Sequence, residues 1–381
     1  MTDYNKNHPF PASIKERYSL CKPGSQKNTH HVSLDLSHSG LTYNVGDSIA
    51  IYPTHDPLLV KRTIHALRLP ENERIFDKHS GQEFSLQEYL AKKSNITDIN
   101  RKIIAETAVR QTNPQKKEHL EFLIAEGNKD VLKEYQKNRE LWDFLNENQE
   151  VRFEAHELPN FIQPMIPRFY SIASSMSVEG EKVDLTVSYV KYISNGHLRL
   201  GVCSHYLCDM APLHQPVVPV YVQPSHGFTL VEEPATDIIM IGPGTGIAPY
   251  RGFMQERISR GAKGKNWLFF GEWNRPYDYF YEDFWTELQE KGQLKVDLAF
   301  SRDQQHKIYV QHRMLEKAAE FFHWLEKGAC VYVCGDAHRM AKDVDAALHQ
   351  IIQEQGNMDE QAAKNYVKKL RADKRYRRDV Y

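Results

Sequence analysis

The chain has no excess of either charge, no long apolar run and few cysteines, and each lack closes off a class of protein. Its 49 Lys and Arg stand against 50 Asp and Glu, a net charge of −1 in 381 residues. No overall field therefore draws it to nucleic acid or to an anionic membrane surface. Met1-Thr2-Asp3-Tyr4-Asn5-Lys6 carries no apolar core of a secretion signal, and no stretch approaches the roughly 20 apolar residues of a membrane span. Five cysteines (Cys21, Cys203, Cys208, Cys330 and Cys334) are an odd number, too few for a disulfide framework in a chain this long. Their spacings make neither a Cys-x-x-Cys pair nor a zinc knuckle. The expectation is a protein of the reducing cytoplasm with free thiols and no metal, no membrane and no nucleic-acid partner. What is present is 41% hydrophobic residues, enough for a sizeable core divided among two or three domains.

Three textures follow one another. From 18 to about 52, Val32, Leu34 and Leu36 alternate with Ser33 and Asp35, and Ser48-Ile49-Ala50-Ile51-Tyr52 runs to Pro53, the pattern of strands. From 57 to 150 the composition shifts to Lys, Glu, Gln, Asn and Leu, with helical spacing at Leu120, Leu123, Ile124 and at Val131, Leu132, Tyr135. Ser85-Leu86-Gln87-Glu88 there reads as a capping box that opens a helix. Strand signals return at Val151-Arg152-Phe153, Phe169-Tyr170-Ser171-Ile172, 183–192 and 217–223, with turns at Gly180, Asn195-Gly196 and Pro224. A β domain over 1–56 is thus interrupted by helices over 57–150 and resumed over 151–233. From 234 to 381, apolar strands at 237–241, 266–270, 295–300 and 331–333 alternate with helices near 250–260, 284–290 and 339–353. That alternation predicts a doubly wound parallel sheet. The basic stretch 364–378 reads as a solvated helix.

Gly242-Pro243-Gly244-Thr245-Gly246-Ile247-Ala248-Pro249 follows a buried strand and opens a helix, where backbone N–H groups and a helix dipole receive a phosphate. Its Gly-x-Gly-x-Gly spacing departs from the common NAD fingerprint. Two strands on lie Ser301-Arg302 and Lys307-Ile308-Tyr309-Val310-Gln311. Their cations and ring suit a phosphorylated adenine nucleotide, NADP over NAD, or simply a solvated turn. Arg168-Phe169-Tyr170-Ser171 places a cation beside an aromatic platform suited to a flavin nucleotide, or packs a strand. Gly201-Val202-Cys203-Ser204 could meet a pyrophosphate or form a plain turn. Cys334 ends a parallel strand, where ligands of doubly wound sheets lie, yet free Cys is also a common core residue. A terminal Tyr381 on a polar tail makes sense if its ring covers a flat aromatic ligand.

Laid out in this order, the segments closely resemble the ferredoxin-NADP reductase-like module of the diflavin reductases, above all that of NADPH-sulfite reductase flavoprotein subunits. The strings that carry the resemblance are Arg168-Phe169-Tyr170-Ser171-Ile172-Ala173-Ser174-Ser175, Ile241 to Pro249, Cys334-Gly335-Asp336-Ala337-His338-Arg339-Met340-Ala341-Lys342-Asp343-Val344 and Arg378-Asp379-Val380-Tyr381. The resemblance spans nearly the whole chain. It implies an antiparallel FAD-binding β-barrel with an inserted helical connecting domain, followed by an NADP-binding domain over 234–381. It places FAD contacts on Arg168, Phe169, Tyr170 and Ser171, on Thr186, Val187 and Ser188, on Tyr192, on Gly201, Val202, Cys203 and Ser204, and on Tyr381 stacked over the isoalloxazine. NADPH contacts fall on Ser301, Arg302, Lys307, Ile308, Tyr309, Val310, Gln311 and Asp343, beside the loop residues Gly244, Thr245 and Gly246. The family's hydride-transfer residues land on Ser171, Cys334 and Asp379.

Two departures accompany the resemblance. Ser188 stands where the sulfite-reductase pattern has Gly, and the flavodoxin-like FMN domain that precedes the module in the family finds no room in residues 1–17. The expected cofactors are therefore FAD and NADPH, with no FMN in this chain. Electrons would pass singly to a separate acceptor, an FMN domain, a flavodoxin or a sulfite reductase hemoprotein. A role in assimilatory sulfite reduction for cysteine biosynthesis is the leading reading; a stand-alone NADPH-flavodoxin or ferredoxin reductase and a non-catalytic docking module are the alternatives.

Overall fold

A computed structural model of the chain describes residues 4–78 and 80–381. Its residues fall into two compact units, one of 1–50, 169–189 and 212–381 and one of 51–168 and 190–211.

The first unit holds two sheets. Six antiparallel strands, β1 (Phe10–Ser19), β2 (Thr29–Asp35), β3 (Ser48–Ile51), β4 (Arg168–Ser171), β5 (Lys182–Ser188) and β6 (Val218–Gln223), line up in the order β4-β3-β6-β1-β2-β5. The two edges then meet: Ile172, just past β4, bridges Leu185 of β5, and Ala173 N donates to Asp184 O at 2.7 Å. The sheet is thereby closed into a barrel, which removes its open edges. Ala12, Ile14, Val32, Leu34, Val183, Leu185 and Val187 are all buried, as their alternation predicts.

Five strands, β7 (Ile238–Ile241), β8 (Asn266–Glu272), β9 (Lys295–Phe300), β10 (Cys330–Gly335) and β11 (Tyr376–Val380), form an all-parallel sheet in the order β9-β8-β7-β10-β11. Its central strands β7, β8 and β10 are apolar on both faces because helices cover both. Ile239, Ile241, Trp267, Phe269, Val331 and Val333 pack with helices Val310–Glu316, Ala318–Glu326, Met340–Gln355 and Glu360–Ala372. Ile238, Met240, Leu268, Phe270 and Tyr332 face helices Ala248–Ser259 and Glu282–Glu290. The strand order reverses between β7 and β10, which creates a crevice at their carboxyl ends.

The second unit is mainly helical, with Pro57–Leu67, Leu86–Lys92, Arg101–Arg110, Pro114–Ile124 and Leu141–Glu147 around one apolar core. Ser85 and Glu88 form the reciprocal capping box that the sequence predicts, and Asn100 and Asn113 cap two more helices. Two hairpins and the helical stretch from Val202 to Met210, which ends in a π turn, complete it.

Three readings need correction. Val151-Arg152-Phe153 forms no strand; Val151 and Phe153 are buried as anchors of the helical core. The strand expected over 183–192 stops at Ser188, because Val190 turns its backbone to Gly201 N (2.8 Å) and Ser204 Oγ (3.1 Å), and Tyr192 belongs to a separate hairpin. The basic tail is helical only to Ala372: Tyr376-Arg377-Arg378 enters the parallel sheet as part of β11.

Candidate functional site

The crevice at the carboxyl ends of β7 and β10 is shaped by a loop nearly without side chains. After Ile241 the chain runs through 242–246 into the helix Ala248–Ser259. Gly244 has φ 61°, a left-handed conformation that disfavours any side chain. A Cβ on Gly246 would lie 2.1 Å from Cys334 O, so only glycine lets the loop press against the end of β10. Tyr381 is fastened over this loop by three hydrogen bonds. Its N–H donates to Gly335 O at 3.1 Å, its carbonyl accepts from Ala337 N at 3.0 Å, and its phenol pairs with Thr245 Oγ1 at 3.0 Å. The residue nevertheless remains 60% exposed.

Beneath it the three residues given a hydride-transfer role come together from three segments. Cys334 of β10 and Asp379 of β11 are paired in the parallel register. Ser171, at the end of β4, donates its hydroxyl to Asp379 Oδ2 at 3.0 Å, and Cys334 Sγ lies 4.0 Å from the same oxygen. Burial pushes the Asp379 carboxyl above its ordinary value, against the pull of the Ser171 hydrogen bond. Burial and then the neighbouring carboxylate push the Cys334 thiol well up. The trio is thus a hydroxyl, a protonated thiol and a poorly solvated carboxylate, with no thiolate nucleophile among them.

A cationic patch forms where β8 and β9 end. Ser301 N donates to Glu272 O at 2.8 Å, which anchors the turn after β9. The Arg302 guanidinium lies 3.2 Å from the Trp273 ring centroid and donates to Gln26 Oε1 at 2.9 Å. Lys27 sits 5.1 Å over the same ring and is ion-paired with Glu272, whose carboxyl burial raises while Lys27 lowers it. Lys307 is exposed and Tyr309 is 42% exposed; Val310 is buried in the core, and Ile308 packs against that core. Gln311 Nε2 donates to Asp343 Oδ2 at 3.3 Å in the first turn of helix Met340–Gln355. Lys27, Gln26, Glu272 and Trp273 escaped the sequence reading, since Gln26 and Lys27 lie some 270 residues from Arg302 in no motif.

The residues assigned to the flavin divide between the units. In the first, Phe169 is 54% exposed beside Tyr170 and Ser171 on β4. Val187 of β5 points into the barrel core, Ser188 is exposed, and the Thr186 hydroxyl pairs with Tyr281 OH at 2.8 Å. In the second, Arg168 Nη1 donates to Ile166 O at 3.0 Å, and Tyr192 stands 52% exposed on its hairpin. Gly201 there precedes the helical stretch that begins at Val202, with Cys203 and Ser204 buried; a Cβ on Gly201 would lie 2.6 Å from Ser204 Oγ. Neither a plain turn nor an extended strand is present at 201–204.

Among the described residues no group of three or more His, Cys, Asp or Glu is placed to hold a metal, and no helix is long and apolar enough to cross a membrane. The family model described as FAD binding domain matches residues 2–206, and that described as oxidoreductase NAD-binding domain matches residues 240–346. Among curated proteins, the sulfite reductase (NADPH) flavoprotein alpha-component of Bacillus subtilis (strain 168) is 41% identical over 381 residues, all of this chain and 62% of that protein. Its counterpart in Vibrio cholerae serotype O1 (strain ATCC 39315 / El Tor Inaba N16961) is 40% identical over 379 residues, 99% of this chain and 60% of that protein. That of Shewanella sp. (strain MR-7) is 37% identical over 384 residues, with 100% and 62% covered. The chain therefore spans about three fifths of the length of the curated relatives it matches.

Proposed function

The chain belongs to the FAD binding domain family, and on that premise we propose that it is an NADPH-oxidising flavoprotein reductase that passes electrons singly to an acceptor outside residues 1–381. The observation that carries the reading is the convergence of Ser171, Cys334 and Asp379 at the strand-order reversal, beneath Tyr381 and beside the glycine loop.

The residues present fit both cofactors. The crowding that requires glycine at 246 and the left-handed Gly244 leave a loop of backbone for a pyrophosphate. Arg302, Lys27 and Lys307 supply the positive charge that an additional ribose phosphate needs, which favours NADP over NAD. The exposed faces of Phe169 and Tyr381 and the Ser171 hydroxyl are the donor set for an isoalloxazine. We assign the flavin to 1–56 and 151–233, the connecting insertion to 57–150 and the nicotinamide nucleotide to 234–381. Arg168 to Ser171, Thr186 to Ser188, Tyr192 and Gly201 to Ser204 take the flavin nucleotide. Ser301, Arg302, Lys307 to Gln311 and Asp343 take the second nucleotide.

When bound, the flavin supplies acceptance of a hydride and release of electrons one at a time. The protein's own part is placement and charge. Asp379, poorly solvated and next to the reacting face, stabilises positive charge beside it; Ser171 orients that carboxylate through its one O–H, and donates to a ring nitrogen only when that bond to Asp379 is given up. Cys334, as a neutral thiol, sets the floor of the site by shape. Tyr381 holds the face closed until its bond to Thr245 yields. The names of the relatives favour sulfite reduction as the setting; our reading places it in the cytoplasm, with an FMN domain, a flavodoxin or a hemoprotein as acceptor.

Anaerobic stopped-flow mixing of the FAD-loaded chain with NADPH or NADH tests the reading. Rapid bleaching by NADPH, slow bleaching by NADH and reoxidation by an added FMN domain or flavodoxin are expected. A chain that takes up no FAD, or whose flavin NADPH leaves oxidised, overturns it.

A further inference from the structure

A second site is built at the other end of the parallel sheet. A cleft of about 560 Å³ opens at the N-terminal edge of β8 and β9, walled by the end of helix Ala248–Ser259 and the turns 261–266 and 292–295. Four cations line it, Arg257, Lys263, Lys265 and Lys295, against one carboxylate, Glu320, which is ion-paired with Lys295. Arg257 is only 2% exposed. Its Nη2 donates to Thr236 O (3.0 Å) and Gly264 O (2.8 Å), and its Nε has no partner. No ion pair to a carboxylate is formed by it among the described residues. A guanidinium stays charged at any working pH; the Asp237 carboxylate acts on it without forming an ion pair, and burying it with no direct counter-ion is costly.

Lys263 and Lys265 flank Gly264, where a Cβ would lie 2.1 Å from Thr236 O, so the backbone between them is pinned. Neither lysine side chain has an ion pair or hydrogen bond among the described residues. The nearby Asp237 accepts from Lys265 N at 2.6 Å. On the same wall Asn266 donates Nδ2 to Gln293 O at 2.9 Å and leaves Oδ1 buried with no donor. Excess positive charge and one acceptor awaiting a donor match a hydrogen phosphate, which offers anionic oxygens and a single P–OH.

We propose that this cleft binds a phosphate group, either as the free ion or as the end of a small phosphate ester. The inference is independent of the flavin reading. Its rival is that the cations serve only the negative C-terminal end of helix Ala248–Ser259.

The test titrates inorganic phosphate into the full chain at constant ionic strength, with NADP⁺ saturating so that the nucleotide loop cannot answer. Tryptophan fluorescence, from Trp324 in the cleft wall, and ³¹P line broadening are the readouts. Saturable binding is expected, weakened about tenfold or more in Lys263→Gln/Lys265→Gln with unchanged thermal stability. Competition by adenosine monophosphate assigns the ester, and its failure to compete assigns the free ion. No saturable binding, or equal affinity in the double variant, overturns the proposal and leaves the cations to the helix end.

Discussion

At the carboxyl ends of the parallel strands the chain gathers a hydroxyl, a thiol and a carboxylate around a loop of glycines, whereas at the opposite ends it gathers four cations around an open cleft. The difference follows from the direction of helix Ala248–Ser259. Its N-terminus, the positive end of the dipole, continues from the glycine loop and faces the first site, so the backbone there can receive an anion. Its C-terminus faces the second, where the dipole repels an anion and charged side chains must supply the attraction. On our reading one sheet therefore offers two kinds of anion environment, and only the first lies beside the residues we propose for hydride transfer.

The sharpest way to break the comparison is to crowd one end at a time. Gly246→Ala and Gly264→Ala each drive a methyl to 2.1 Å from a backbone carbonyl, Cys334 O in one case and Thr236 O in the other. Both should lose about 3 kcal/mol in urea denaturation. Only Gly246→Ala should slow flavin reduction by NADPH per folded molecule, on the order of a hundredfold. Equal slowing in both would erase the distinction between the ends.

Next in size is Asp379→Asn, which should cut flavin reduction by roughly ten- to a hundredfold. Because burial raises the carboxyl, its contribution to stability is favourable only at low pH and is lost as pH rises through the raised value. The amide variant should therefore melt higher than the parent at pH 7, with the gain fading in acid. A lower melting temperature at neutral pH would show that the carboxylate is held by attraction after all.

Strand β10 offers a finer pair, with Cys330 at its start and Cys334 at its end, both buried. Truncating either to Ala should cost about 1 kcal/mol. Flavin reduction should fall only in Cys334→Ala, about fivefold by misplacement of the reacting groups. Smallest is Thr245→Val, which removes the hydroxyl that holds the Tyr381 phenol. A loss near 1 kcal/mol and a few-fold gain in NADH use are expected in stopped-flow comparison, and unchanged NADH use would separate the two events.

What could be read in advance tracks how local the cause is. The apolar strands β7 to β10 and the capping box at Ser85 declare themselves through neighbours a few residues away. Barrel closure does not, because the bridge from Ile172 to Leu185 and the bond from Ala173 to Asp184 depend on how six strands curve. Strand β11 was hidden by its composition: Arg377, Arg378 and Asp379 are polar, as suits an edge strand, and the helix before it shares its basic character. Val151 and Phe153 misled in the other direction, since burial against helices needs no ladder. In the site, Ser171, Cys334 and Asp379 came from resemblance, and only the fold brings them within reach of one oxygen. Lys27 and the cleft cations carried no motif at all.

The order of the five parallel strands also has a meaning in time. A chain emerging from the ribosome completes β7 to β10 and the glycine loop well before residues 376–380 exist. Until they arrive, β10 presents an unpaired edge with its buried thiol at one end. The carboxylate that joins Ser171 and Cys334 is thus delivered by the segment that seals the sheet. Protection of the edge and completion of the trio become a single event in the life of the molecule.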